Sequence, residues 1–234
     1  MVALLLIAVI GYSGYRIWET NNNYESEAKM HELVLEYKPE DTAAPDGEPE
    51  EEIINQSVID LQAQYPDAVG WLTVPNTQID YPFVWYKDND YYLRRDINGN
   101  YAQAGTLFMD YRCDRDFSSQ NTVIYGHHMK NKSMFGTLQS FNIQTFFDAN
   151  PTGTIYLPHD TLTLEFFAYM VINPRTEKEV YNVALSSSYV DYVRTNARYY
   201  RDIPLAANDR IVTLSTCAYE FNDARMVLIG RVAT

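Results

Sequence analysis

Eight short apolar segments, separated by turn residues, constrain the fold of this chain more than any other feature of its sequence. Each segment is rich in β-branched or aromatic residues and is bounded by Gly, Pro, Asn or Asp, the pattern of strands in an all-β domain. The predicted strands are residues 71–74, 79–84, 105–110, 121–125, 153–157, 162–172, 210–216 and 225–232. The sequence therefore predicts a mainly β domain, either a barrel or a sandwich.

A few segments have helical rather than strand periodicity. Residues 24–37 are helix-like, and apolar residues recur at helical spacing over 54–61. A third helix is predicted over 187–200, after the candidate N-cap serines 186–188.

The first 52 residues differ in composition from the rest of the chain. Residues 1–18 contain no charge before Arg16, and residues 2–10 are wholly apolar. A membrane span needs about 20 apolar residues, and this stretch alone is slightly short of that. We therefore predict a membrane anchor over 1–18 that extends further upstream, with basic residues there. Residues 19–52 carry 12 acidic side chains against two lysines, which predicts an acidic, solvated stalk. The folded domain is then expected over 53–234.

Charge and cysteine content exclude several classes of protein. The formal net charge of −13 lacks the clustered Lys and Arg that track a phosphate backbone, so we expect no nucleic-acid partner. The two cysteines, Cys113 and Cys217, exclude a disulfide-dense scaffold and a four-cysteine zinc site.

The first candidate catalytic residue follows the predicted strand over 121–125. That strand runs into Gly126 and ends at His127, where the backbone leaves the sheet. Histidine transfers protons near neutral pH, and catalytic groups are often found at strand ends. His128 has the same chemistry, so the residues alone leave the choice between the two open.

The second candidate lies at the end of the predicted strand over 210–216. Cys217 follows that strand, and Arg225 begins the next one. A cysteine attacks as its thiolate, which nearby positive groups favour, and the fixed donors of an arginine can stabilise an oxyanion. Cys217 by itself is equally compatible with a small buried apolar residue. Its combination with a histidine and an arginine indicates nucleophilic catalysis.

These residues resemble the motifs of the sortases, and of class B sortases in particular. The matching strings are Tyr125-Gly126-His127, Thr213-Leu214-Ser215-Thr216-Cys217 with Arg225 on the following strand, residues 104–112, residues 121–130 and Met134-Phe135-Gly136. The resemblance covers about residues 53–234. It implies a closed eight-stranded β-barrel with N-terminal helices and a helix between strands six and seven.

The resemblance also implies an activity. Sortases are cysteine transpeptidases that cleave a sorting signal after its threonine, hold the acyl chain on cysteine and pass it to an amine, usually of a peptidoglycan cross-bridge. It assigns Cys217 as nucleophile, His127 as general acid and base, and Arg225 as the group that stabilises the oxyanion. It implies a domain outside a Gram-positive membrane, anchored by a single N-terminal span. We expect no cofactor. We also expect no metal, because the sequence does not show the carboxylate cluster with which some class A sortases bind calcium.

Substrate recognition follows less directly. The expected substrate is a sorting peptide of the Asn-Pro-x-Thr type or a variant of it. By resemblance the substrate-binding residues are Asn89, Leu93, Tyr181 and Ser215. Two alternatives remain at this point: a secreted, membrane-tethered cysteine peptidase that releases its acyl-enzyme to water, and a non-catalytic membrane-tethered β-domain.

Overall fold

Nine strands form one sheet in the computed structural model, which describes residues 2–40, 53–206, 208–217 and 223–233. They are β1 (Ala68–Thr73), β2 (Asp80–Trp85), β3 (Leu107–Met109), β4 (Asn121–Tyr125), β5 (Thr152–Leu157), β6 (Asp160–Ile172), β7 (Tyr199–Tyr200), β8 (Ile211–Cys217) and β9 (Arg225–Val232). Each of the eight strands predicted from the sequence overlaps one of these, and the mainly β fold class is confirmed.

The sheet closes on itself. Hydrogen-bonded neighbours follow the order β5-β1-β2-β3-β4-β8-β9-β6, and β5 pairs again with β6. The two-residue strand β7 pairs with β6 in addition to this ring. The predicted closed eight-stranded barrel is therefore confirmed, and closure leaves the ring without an edge strand that could pair with another chain.

Four α-helices accompany the barrel in the described part of the chain. They are α1 (Val2–Val34), α2 (Gln56–Gln64), α3 (Gln144–Ala149) and α4 (Tyr189–Asn196). The helix predicted over 187–200 is too long at its C-terminal end. Tyr199 and Tyr200 form β7 instead, because they pair with Tyr169 and Ala168 of β6.

Helix α1 has two different environments along its length. Residues 2–17 are exposed, and α1 is long and apolar enough to cross a membrane. Its C-terminal part contacts the barrel, with Val34 buried and the ring of His31 hydrogen-bonded to the carbonyl of Asp80 at 3.0 Å. Part of the segment predicted as a stalk is therefore helical and packed, while its most acidic part, 41–52, lies outside the described residues.

Parallel pairing of β4 and β8 places the site. Thr122 lies opposite Val212 and Tyr125 opposite Ser215, so both strands end at the same edge of the barrel. Their apolar side chains Ile124 and Leu214 are fully buried in one core cluster. Because truncating such a residue to alanine typically costs about 2–5 kcal/mol, this packing fixes the two strand ends firmly.

Candidate active site

Three strand ends meet at one edge of the barrel. His127 follows β4 by two residues, Cys217 is the last residue of β8, and Arg225 is the first residue of β9. Strands β8 and β9 are antiparallel, with Cys217 opposite Arg225 in the register. The topology therefore brings together the three residues that the sequence selected as catalytic.

A groove of about 220 Å³ opens at this edge. It is lined by Asn89, Leu93, Phe108, Tyr125, Gly126, His127, Ser215, Thr216 and Arg225. Five predicted site residues are thus among its walls. A sixth, Tyr181, places its hydroxyl 2.9 Å from Oγ of Ser215. A larger cavity of about 270 Å³ between α1 and the barrel contains none of the predicted site residues.

A backbone carbonyl holds the imidazole of His127. Its Nε2 lies 2.7 Å from the carbonyl oxygen of Leu93. A carbonyl oxygen can only accept, so Nε2 is the protonated nitrogen in this contact and Nδ1 is the nitrogen that can exchange a proton. The contact fixes the orientation of the ring and its tautomer together.

The environment of His127 favours the neutral imidazole. Burial lowers the pKa of His127 below its ordinary value, and the charge of Arg94 lowers it further, while the hydrogen bond to Leu93 opposes both effects. The proton that His127 gains during a reaction is therefore readily released again.

The glycine at 105 allows the Leu93 carbonyl to lie where it does. Gly105 has φ of +63°, and a Cβ there would lie 2.6 Å from the carbonyl oxygen of Tyr92 and 2.7 Å from that of Leu93. A side chain at this position would push against the group that orients His127.

Arg225 is held by its own turn. Its Nη1 donates to the carbonyls of Asp223 at 3.1 Å and Ala224 at 3.0 Å. Asp223 has a positive φ of 64°, which marks the tight entry into β9. The guanidinium is thereby fixed at the groove by the backbone that precedes the strand.

The two cysteines lie at different places in the fold. Cys113 is buried, its Sγ donates to the carbonyl of Asn121 at 3.4 Å, and burial raises its pKa to about 11. It is therefore a thiol at neutral pH and a poor nucleophile. Cys217 is the last residue of β8 and follows directly after the groove-lining residue Thr216.

The two adjacent histidines also differ in placement. His127 lines the groove, whereas the backbone of His128 pairs with Met134 and its side chain is not among the groove-lining residues. This placement supports His127 as the candidate that the residues alone could not choose.

Sequence reasoning missed several groove residues. Phe108, Tyr125 and Thr216 line the groove but were not predicted to do so. Tyr125 is the last residue of β4, and its position just before Gly126 and His127 is the signal that could have found it. Phe108, on β3, packs against the Tyr125 ring with centroids 5.4 Å apart, and no local pattern indicated that contact.

A family model described as the sortase domain matches residues 72–233. The chain belongs to the sortase family. Sortase B of Listeria monocytogenes is 34% identical over 242 residues, which span 100% of this chain and 96% of that protein.

Solved structures are similar as well. A structure of sortase B from B. anthracis in complex with AAEK2 gives a TM-score of 0.75 at 30% identity, covering 90% of this chain and 97% of that one. The structure of sortase B from Clostridium perfringens gives a TM-score of 0.70 at 33% identity, and it covers 75% of this chain and 99% of that one. These likenesses identify the chain as a class B sortase, and class B sortases are cysteine transpeptidases.

The contact of Gly105 with Leu93 predicts a loss of sortase activity on Gly105→Ala. A Cβ there displaces the Leu93 carbonyl and turns the His127 ring, and such a misplacement can cost kcat/KM about 100-fold. Gly99→Ala is the matched control. It too has a positive φ, +81°, but its Cβ would approach the Tyr91 hydroxyl at 3.1 Å. Steady-state kinetics of both variants check this, and equal losses would contradict it.

The charge of Arg94 predicts a shift in the titration of His127. Arg94→Gln removes a like charge, so the pKa of His127 should rise, and Arg95→Gln should leave it nearly unchanged. Proton NMR titration of the His127 ring measures both.

Because the pKa of His127 is depressed by folding, its neutral form stabilises the fold above the ordinary pKa. That stability is lost as pH falls through the folded value. A His127 midpoint at or above 6.5 in the wild type would contradict the depression.

Proposed function

We propose that this sortase cleaves the C-terminal sorting signal of surface proteins after its threonine and transfers the acyl chain to a peptidoglycan amine. The observation that carries the proposal is the single groove that holds His127, Ser215 and Arg225 at the edge where β8 ends in Cys217. A nucleophile, a proton carrier and a fixed cation at one groove are the groups that acyl transfer needs.

In the first half-reaction the thiol of Cys217 gives its proton to the neutral His127, and the resulting thiolate attacks the carbonyl carbon of the substrate threonine. A C–S bond forms, and the electron pair of the carbonyl moves onto its oxygen. When the tetrahedral intermediate collapses, the C–N bond breaks and the leaving amine takes a proton from His127. Because Nε2 of His127 is bonded to Leu93, we assign this proton to Nδ1.

In the second half-reaction an amine of the cell-wall cross-bridge attacks the thioester. His127, now neutral, accepts a proton from that amine, the C–S bond breaks, and the released thiolate of Cys217 takes that proton back from His127. The depressed pKa of His127 makes its neutral form abundant for this step.

Arg225 is proposed to act on the oxyanion in both half-reactions. Its guanidinium is anchored by the carbonyls of Asp223 and Ala224, so little reorganisation is needed when charge develops on the substrate oxygen. Preorganised donors of this kind are among the largest single contributions to catalysis.

Residues around the groove are proposed to bind the sorting peptide. Asn89 and Leu93 line one part of it, and Ser215 lies at another with the Tyr181 hydroxyl beside it. A peptide of the Asn-Pro-x-Thr type or a variant would lie along these residues, with its threonine at Cys217.

We propose that residues 1–18 anchor the enzyme in the cell membrane, that 19–52 form an acidic segment, and that the catalytic domain over 53–234 lies outside the cell. The exposed apolar part of α1 supports an anchor. Asn23 of α1 donates a hydrogen bond to Gln103, and it follows Trp18 by about 8 Å along the helix.

The acyl-enzyme tests this proposal directly. When the enzyme is mixed with sorting pentapeptide substrates and no amine, intact mass should increase by the acyl fragment that ends in threonine, and hydroxylamine should release it. Peptide mapping should place the adduct on Cys217. An adduct on Cys113, or none with any peptide of a broad sorting-signal panel, would contradict the proposal.

A further inference from the structure

A buried carboxylate lies behind the tyrosines of the groove. The side chain of Asp110 is 1% exposed, and it follows directly after β3. Its Oδ1 accepts from the backbone N–H and Nε of Arg112, at 3.0 and 2.8 Å. Its Oδ2 accepts from Nη2 of Arg112 at 2.7 Å and from the Tyr125 hydroxyl at 2.9 Å. Four donors thus converge on one carboxylate.

Asp110 is ionised in this setting. Burial alone would raise its pKa, but the hydrogen bonds from Arg112 and Tyr125 outweigh burial and lower it. The pair therefore remains charged at neutral pH, and its bonds are of the strong, charge-assisted kind. The planar guanidinium also fixes their directions.

Arg112 connects the same carboxylate to a second tyrosine. Its Nη2 also donates to the backbone carbonyl of Tyr181 at 3.0 Å. The Tyr181 and Tyr125 rings lie with their centroids 6.0 Å apart. One ion pair thus holds the hydroxyl of Tyr125 and the backbone of Tyr181.

Tyr125 lines the groove and Tyr181 contacts a residue that lines it, whereas the ion pair does not line it. Tyr125 is one of its walls, and the Tyr181 hydroxyl contacts Ser215, two residues before Cys217. Asp110 and Arg112 are not among the groove-lining residues. The hydrogen bonds of the pair thus reach the groove through the two tyrosines.

We propose that Asp110 and Arg112 form a positioning pair that sets the separation of Tyr125 and Tyr181 and thereby the fit of the sorting peptide. This inference rests on the proposed function, because it assigns the pair to binding of that peptide. The reacting groups are left in place when the pair is broken. The effect should consequently appear in KM more than in kcat.

Kinetics of Asp110→Asn, Tyr125→Phe and the double variant test the proposal. Breaking a charge-assisted bond should lower kcat/KM by roughly 10- to 100-fold, mainly through KM, with kcat changed by no more than about threefold. The double variant should lose less than the product of the single losses, because both changes break the same contact. Glu165→Gln is the control. It neutralises the partner of Arg231 on the β6–β9 pair, away from the groove residues, and should alter kcat/KM by no more than about twofold.

NMR of tyrosine labelled with ¹³C in the ring gives a readout that needs no turnover. The signals of Tyr125 and Tyr181 are assigned with the Tyr125→Phe and Tyr181→Phe variants. Asp110→Asn should shift both, and Glu165→Gln neither. If Asp110→Asn does not fold, Tyr125→Phe alone must still raise KM and shift the Tyr181 signal.

The possible failures are distinguishable. A wild-type enzyme that turns over no sorting peptide overturns the proposed function. A wild type that is active while Asp110→Asn and Tyr125→Phe keep its KM overturns the positioning role. A loss of kcat in Asp110→Asn and Tyr125→Phe with no change in KM also overturns the positioning role, because that pattern indicates disturbance of the reacting groups. Unshifted Tyr181 signals overturn the connection through Arg112.

Discussion

Replacing Cys217 with alanine is expected to abolish turnover of a sorting peptide, whereas replacing Cys113 with alanine should leave most of it. Removal of a covalent nucleophile typically lowers kcat by at least about 1,000-fold. Cys113 lies in the core with its pKa raised to about 11, so no comparable role is available to it. Progress curves with a fluorogenic peptide measure both variants.

A control for folding belongs to this comparison. Cys113 is 3% exposed, so its truncation should lower the melting temperature, while Cys217→Ala should keep the wild-type far-UV spectrum. If both variants lost activity equally while both stayed folded, the assignment of Cys217 as nucleophile would be wrong.

Replacing Arg225 is expected to have the second largest effect, and lysine should be almost as harmful as alanine. Loss of one oxyanion donor typically costs about 10²–10³ in kcat. Lysine keeps the positive charge, but a compact ammonium does not reproduce the planar fork. It also cannot make the same bonds to Asp223 and Ala224 that hold the guanidinium at the start of β9.

The division between kcat and KM identifies the role of Arg225. If the residue acts mainly when charge develops, kcat should fall more than peptide affinity. Steady-state kinetics of Arg225→Lys and Arg225→Ala decide this. Near-wild-type kcat for the lysine variant would show that a diffuse positive charge is sufficient.

Much of the barrel could be predicted because the strands carry local signals. The strand over 121–125 and the one over 225–232 were predicted with the bounds that the structure gives to β4 and β9. These bounds could be predicted because both strands are rich in β-branched and apolar residues and are flanked by turns. The end of α4 was misjudged because pairing of Tyr199 and Tyr200 with β6 is a long-range contact. Tertiary contacts of this kind override local helical pattern.

The site was partly predictable for the same reason. His127, Cys217 and Arg225 each stand at a strand end, which a linear sequence displays. The Leu93 carbonyl that holds His127 and the carboxylate of Asp110 behind Tyr125 do not, since each contact joins segments brought together by the barrel. The packing of Val34 against the barrel was likewise hidden, because the C-terminal half of α1 lies in a segment whose acidic composition resembles a solvated stalk.

The partition of the acyl-enzyme between water and an amine tests the central claim most directly. A sorting peptide is incubated with the enzyme, with and without triglycine, and the products are separated and weighed by mass spectrometry. The account predicts a product in which the threonine carbonyl is joined to triglycine, formed in proportion to amine and absent with Cys217→Ala. Hydrolysed peptide alone, in an amount independent of triglycine, would contradict it and would identify a peptidase instead.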